Sequence, residues 1–201
     1  MPIKGAVCHK CGKPVDEEQE FCRNCEQKSY TFLEGRSALV YNTWMQKSMS
    51  AFKYRKRKEN GEFYADRIHE IWGERIKAWE ADVFVPVPIH PHRYQKRGYN
   101  QAEVIASYLS ERTGIPVEMM LERKKDTRPQ KDLSQAERIR NLQGAFSLSL
   151  SATELNPKPK CAIIVDDIYT TGSTIEACAQ TLQIYGITKI YFICVCTGII
   201  R

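Results

Sequence analysis

Cys161-Ala-Ile-Ile-Val-Asp166-Asp167-Ile-Tyr-Thr170-Thr171-Gly172-Ser173-Thr174-Ile-Glu-Ala-Cys-Ala179 is the stretch on which the reading of this chain turns. It opens with a short unbroken apolar run, the pattern of a strand buried on both faces of a parallel sheet, and closes with helical spacing. Between them lie two adjacent carboxylates and a hydroxyl-rich turn. At a helix start such a turn offers several backbone N–H groups; the glycine lets the backbone come close, and the hydroxyls add donors. That is a cradle for phosphate. Asp166 and Asp167 are expected at the carboxyl end of the strand, where open α/β sheets bind ligands, placed to accept from sugar hydroxyls or to hold Mg²⁺. A sugar phosphate suits both halves. The plainer alternative is a capped turn beside two surface acids.

The run resembles the signature of the type I phosphoribosyltransferases. On that resemblance the fold is α/β with a parallel sheet. Asp166 and Asp167 are then the catalytic acids that meet the ribose hydroxyls of phosphoribosyl pyrophosphate (PRPP), and Thr170, Thr171, Gly172, Ser173 and Thr174 take its 5′-phosphate.

With 201 residues, the chain has room for one ordinary α/β domain and a small appendage. Its formal charge of +6 makes polyanions suitable partners without identifying nucleic acid. No segment approaches the roughly 18 apolar residues of a membrane span, and residues 1–12 lack the apolar region of a signal peptide, so a cytoplasmic location is expected.

Of the eight cysteines, half form two CxxC pairs near the N-terminus, Cys8-His-Lys-Cys11 and Cys22-Arg-Asn-Cys25. Two such turns complete the tetrahedral S₄ set that Zn²⁺ favours. With four thiolates used, no position stays open for catalysis, and the metal would hold together a module, residues 1–34, too small to fold by burial. Lys10, Lys13 and Arg23 would offset the charge of that centre. Cys161, Cys178, Cys194 and Cys196 read as small core residues.

Ala38–Tyr41 reads as a short strand. A helix starting near Asn42 or Thr43 then carries Trp44, Met45, Met49 and Phe52 as core residues. It runs into Lys53-Tyr54-Arg55-Lys56-Arg57-Lys58, the densest charge in the sequence. The run suits a solvated helix end and equally suits nucleic-acid binding, with phosphate contacts around a stacking tyrosine. A second helix over about 63–79 packs Ile68, Ile71, Trp72, Ile76 and Trp79. Val83-Phe-Val-Pro-Val-Pro88 reads as another buried strand, its prolines placing its end at a sheet border. A basic loop over 89–98 follows, then a helix begun by Asn100 with Glu103 and ended by Gly114. A strand is expected near 117–121.

The basic loop resembles the pyrophosphate-binding loop of phosphoribosyltransferases, which implies diphosphate contacts from Arg93, Lys96, Arg97 and Gly98. Val-Pro-Val-Pro followed by Arg-Gly-Tyr-Asn-Gln-Ala is closer still to the ComF family of competence proteins. So is the later pattern Thr127, Gln130, Leu133-Ser134, Arg138, Asn141, Ala145-Phe146. That region resembles the loop that closes over substrate in related transferases, with Arg123, Arg138 and Asn141 as its lid residues; a segment with no such duty is the alternative.

The ComF resemblance covers nearly the whole sequence. It implies a phosphoribosyltransferase-like domain over 35–201 behind the zinc module, and a part in natural transformation. The expected partners are PRPP or a 5′-phosphorylated nucleotide, single-stranded DNA and a helicase-like competence protein, either in the cytosol or peripheral to the inner face of the membrane uptake machinery. Two alternatives stay open: an active Mg²⁺-dependent phosphoribosyltransferase, and a PRPP-sensing adaptor without catalysis.

Overall fold

The computed structural model describes residues 1–55, 57–124 and 144–198. In chain order the elements are α1 (Arg23–Gln27), β1 (Glu34–Val40), α2 (Thr43–Tyr54), α3 (Asn60–Ala78), β2 (Val83–Pro86), α4 (Pro91–Arg97) and α5 (Gln101–Thr113). They continue with β3 (Leu121–Arg123), β4 (Phe146–Leu148), α6 (Leu150–Glu154), β5 (Cys161–Tyr169), α7 (Ser173–Tyr185) and β6 (Lys189–Thr197). Four strands form one sheet in the order β1-β6-β5-β2, every neighbouring pair parallel. Val117 extends it past β2 by a single parallel bridge to Phe84. β3 and β4 pair separately as a short antiparallel ribbon.

The apolar run of β5 is buried because the sheet is covered on both faces. Ile163 and Val165 join Phe84, Ile105, Ile68 and Phe52 in the core beneath α2, α3 and α5. Ala162 and Ile164 join Ile175, Leu182, Phe192 and Phe32 in the core beneath α7. Each fully buried large aliphatic or aromatic side chain contributes about 1.5–3 kcal/mol, so this doubly covered strand anchors the fold. Cys8 and Cys11, 0 % and 1 % exposed, belong to the second core. The cysteine module is thus packed against the sheet. Gly35 permits the close fit there, since a Cβ at that position would stand 2.0 Å from the Phe192 ring.

Several helix starts fall where the sequence puts them. Asn42 accepts from the Met45 N–H at 2.9 Å, and Asn100 accepts from the Ala102 N–H at 3.1 Å.

Other elements differ. β1 begins at Glu34, ahead of the expected Ala38, because its charged residues pair inside the fold: the Arg36 guanidinium sits 2.6 Å from the Glu34 carboxylate. Trp44 is 79 % exposed with the Lys47 ammonium over its ring, so it is not core; Met45, Met49 and Phe52 are. The expected basic loop over 89–98 folds as α4, begun by His90 and Pro91 and closed by Gly98. The strand expected at 117–121 is reduced to the Val117 bridge, with β3 starting at Leu121.

Candidate functional site

The carboxyl ends of β2 and β5 open into a cleft of about 510 Å³. Four helices shape it. The N-termini of α5 and α7 reach it through Ala102 and Thr174, α4 contributes Arg93 and Arg97, and α2 forms the far wall. Two helix N-termini directed at one cavity favour an anion, because their first N–H groups have no intrahelical acceptor and the helix dipoles add positive potential.

Asp166 and Asp167 both line this cleft. As neighbours on a strand they diverge. Asp167 meets α2, where its Oδ2 lies 2.6 Å from Lys53 Nζ, with side-chain exposures of 13 % and 20 %. Burial disfavours the Lys53 ammonium, but the charge and hydrogen bond of Asp167, with Asp166 behind it, outweigh burial and raise its pKa. Asp166 accepts the Asp167 N–H on Oδ1 at 2.8 Å. Burial, reinforced by the Asp167 charge, pushes Asp166 up to about 7.

The hydroxyl turn leaves β5 after Tyr169. Gly172 has φ 81°, a left-handed conformation that turns the backbone into α7. Thr170 and Thr174 face the cleft. Thr171 and Ser173 face the other way, their hydroxyls 2.9 Å apart, into a larger groove of about 660 Å³ beside Tyr30 and Glu176. Size does not single out the ligand site here, because the larger groove contains neither acid and its one carboxylate among the described residues, Glu176, is held by Thr31 N and Oγ1 at 2.9 and 2.7 Å.

Of the expected diphosphate residues, Arg93 and Arg97 line the cleft, whereas Lys96 and Gly98 do not. Arg97 donates to Gln101 Oε1 at 2.8 Å and stands 5.2 Å over the Tyr54 ring. Arg123, expected in the lid, lines the cleft from β3. Arg138 and Asn141 lie outside the described residues, as does Lys56.

The basic run is divided. Lys53 points into the cleft, Tyr54 stands at its mouth, and Arg55 and Arg57 are on the surface, Arg57 paired with Glu59 at 3.2 Å. The inward position of Lys53 was readable as a helical stripe, since Gln46, Met49, Ser50 and Lys53 follow i, i+3, i+4, i+7 and all line the cleft. Tyr99 fixes this wall by donating from its hydroxyl to the Phe52 carbonyl.

Cys8, Cys11, Cys22 and Cys25 bring their four Sγ atoms within 4.8 Å of one another. Cys11 and Cys22 stand 3.6 Å apart, close to the roughly 3.8 Å edge of a tetrahedron with Zn–S bonds near 2.3 Å. The four residues fit a structural zinc ion.

The sequence profile described as Phosphoribosyl transferase domain matches residues 60–201. Competence protein F of Haemophilus influenzae is 30 % identical, covering 91 % of this chain and 81 % of that protein. The chain belongs to the ComF family and carries a phosphoribosyl transferase domain. Competence protein ComFC of Bacillus subtilis is 28 % identical, covering 90 % of this chain and 72 % of the relative. DNA utilization protein YhgH of Salmonella typhimurium is also 28 % identical, over 95 % of this chain and 84 % of the relative. In this ComF-family chain the domain match begins after α2. The wall that carries Lys53 is therefore supplied by sequence ahead of the matched domain. Among the described residues no helix is long and apolar enough to cross a membrane.

Proposed function

We propose that this protein handles single-stranded DNA during DNA uptake, gripping a phosphorylated ribose in the cleft at the end of β5 while a basic surface follows the strand. One observation carries the reading: two helix N-termini, three arginines and an acid pair meet in a single cavity. The first two groups suit phosphate and the third suits sugar hydroxyls. In this arrangement the Thr170 and Thr174 side chains, with the backbone N–H groups of the turn between them, hold the 5′-phosphate, Asp166 and Asp167 face the ribose, and Arg93 with Arg97 take any diphosphate. The zinc module over 1–34 supports the transferase-like domain over 35–201, and the exposed Arg55 and Arg57 contact backbone phosphates. The names of the relatives, competence and DNA utilization proteins, motivate the cellular role, and the family resemblance implies a helicase-like partner at the inner face of the uptake machinery.

The test is a set of titrations with PRPP, a 5′-phosphorylated oligonucleotide and its unphosphorylated twin. Tighter binding of the phosphorylated strand, displaced by PRPP, is expected. Equal binding of both strands with no competition from PRPP would falsify the assignment.

A second reading, phosphoribosyl transfer, is favoured by the domain match and by the presence of Arg93 and Arg97 in the same cleft as the acids. The bond from ribose C1 to diphosphate oxygen would break, its electron pair leaving with the diphosphate, while a nitrogen nucleophile attacks C1 and then loses a proton. The acids would stabilise the cation-like ribosyl group and the arginines the leaving diphosphate. Pyrophosphate release in the presence of an acceptor is the expected signal. PRPP binding without turnover would instead mark a ligand-sensing adaptor.

A further inference from the structure

We propose that Lys53 is the built-in counter-ion of the acid pair, so that this cleft binds a phosphorylated ribose without a divalent cation. The inference rests on the ribose-phosphate reading above and adds a residue that lies outside the matched transferase domain.

A floor of two carboxylates repels an anionic ligand unless positive charge is supplied, and Mg²⁺ is the ordinary means of supplying it. Here the geometry does not offer the two acids as an open pair of metal ligands. Asp167 Oδ2 is held by Lys53 Nζ at 2.6 Å, and Asp166 Oδ1 is engaged by the Asp167 N–H at 2.8 Å. A Mg²⁺ ligated by both acids would have to reach Asp167 through the carboxylate that already holds the ammonium, and two cations on one carboxylate repel in a partly desolvated site.

The ammonium is fixed in place. Its helix is tied on both sides of the cleft wall, by the Tyr99 hydroxyl to the Phe52 carbonyl and by a 2.6 Å hydrogen bond between Ser48 and Tyr64. Met49, one turn before Lys53, is 1 % exposed and locks the helix against the core. Lys53 leaves the acid floor with at most one net negative charge, and the elevated affinity of Asp166 for its proton lowers that further at neutral pH. The cleft is then receptive to phosphate through its helix N-termini and its arginines, with no added metal charge. Lys53 is a positioning residue: it holds Asp167 oriented, with one oxygen left for a ribose hydroxyl.

The probe is ribose 5-phosphate, which lacks a diphosphate and so brings no strong Mg²⁺ site of its own. Titrations of the zinc-loaded full chain are run in buffer depleted of divalent ions over resin, then with millimolar Mg²⁺; soluble chelators are avoided because they would strip the cysteine site. The parent is expected to bind with the same affinity, within about twofold, in both buffers. Lys53→Met is expected to lose about tenfold or more without Mg²⁺ and to recover most of it when Mg²⁺ is added, as the ion takes the vacated place. Lys53→Arg keeps the charge and is expected to stay independent of Mg²⁺. Parent binding that tightens tenfold or more with Mg²⁺ overturns the inference while leaving the ribose-phosphate reading intact, and so does a Lys53→Met protein that binds like the parent in both buffers. No binding by the parent in either buffer overturns both.

Discussion

Arg36 donates from Nη1 to the carbonyl oxygen of His9 at 3.1 Å, so a sheet strand holds a turn of the cysteine module directly. The same guanidinium bonds the Gly35 carbonyl at 2.8 Å and stands 5.6 Å over the Trp72 ring of α3. Arg36 is only 8 % exposed. Its charge, buried between module, strand and helix, is tolerable because Glu34 lies within 2.6 Å and the two carbonyls accept from Nη1. The module and the sheet therefore share one polar clasp as well as one core.

Zinc removal should then loosen more than the module. Cys8 and Cys11 pack with Phe32 and Tyr169 in the core under α7, and four unliganded sulfurs would leave that contact unsupported. Cys11→Ser, or treatment with a strong chelator, is expected to cost about 3 kcal/mol or more, a fall of roughly 6–12 °C in melting temperature for a chain of this size. Calorimetry checks it. A main transition unmoved by zinc loss would show the module to be energetically separate.

Gly172 carries the turn on which phosphate binding depends. Its φ of 81° is strained for any other residue, and a Cβ would stand 2.6 Å from the Tyr169 hydroxyl. Gly172→Ala is expected to destabilise by about 1–2 kcal/mol in urea unfolding, with loss of ribose 5-phosphate binding. Tyr169→Phe removes the atom in closest contact. The double variant should regain part of the stability but not the conformational share, a coupling that a double-mutant cycle reads directly.

How much of this was legible depended on whether side chains advertised their surroundings. The β5 run, the asparagine caps at Asn42 and Asn100 and the paired CxxC spacings each state a local preference that the fold keeps. β1 was hidden because Glu34, Arg36 and Ser37 look like solvent-facing residues. Their burial depends on partners distant in sequence, His9, Trp72 and Arg75. Lys53 was read with its cationic neighbours as part of a charge run, although helical geometry separates it from Arg55 by more than half a turn. That Lys53 meets the cleft carboxylate depends on β5, which enters the chain more than a hundred residues later.

Asp166 should make stability fall as pH rises across a defined window. Its ordinary pKa is 3.8 and burial lifts it to about 7 in the folded protein. Between those values the folded state holds a proton that the unfolded state has lost, so the unfolded state binds fewer protons and stability declines until pH passes about 7. Asp167 opposes the ionised form, while Lys53 and Arg123 favour it. Asp166→Asn should flatten this decline and leave the variant at least as stable as the parent above neutrality. Urea titrations across the window decide the matter, and an unchanged slope would contradict the assignment.

The basic run should divide in its effect on single-stranded DNA as it divides in space. Lys53 is committed to Asp167, whereas Arg55 is exposed and the Arg57–Glu59 pair, with side-chain exposures of 66 % and 61 %, is too solvated to resist exchange for a phosphate. With an unphosphorylated oligonucleotide, which does not need the ribose-phosphate cleft, each lost phosphate contact lowers the slope of log affinity against log salt by about 0.7. Arg55→Ala and Arg57→Ala together are therefore expected to reduce the slope by roughly 1.4, and Lys53→Met to leave it unchanged. If instead Lys53→Met carries the reduction, the ion pair opens to the strand and the wall formed by α2 belongs to the nucleic-acid surface.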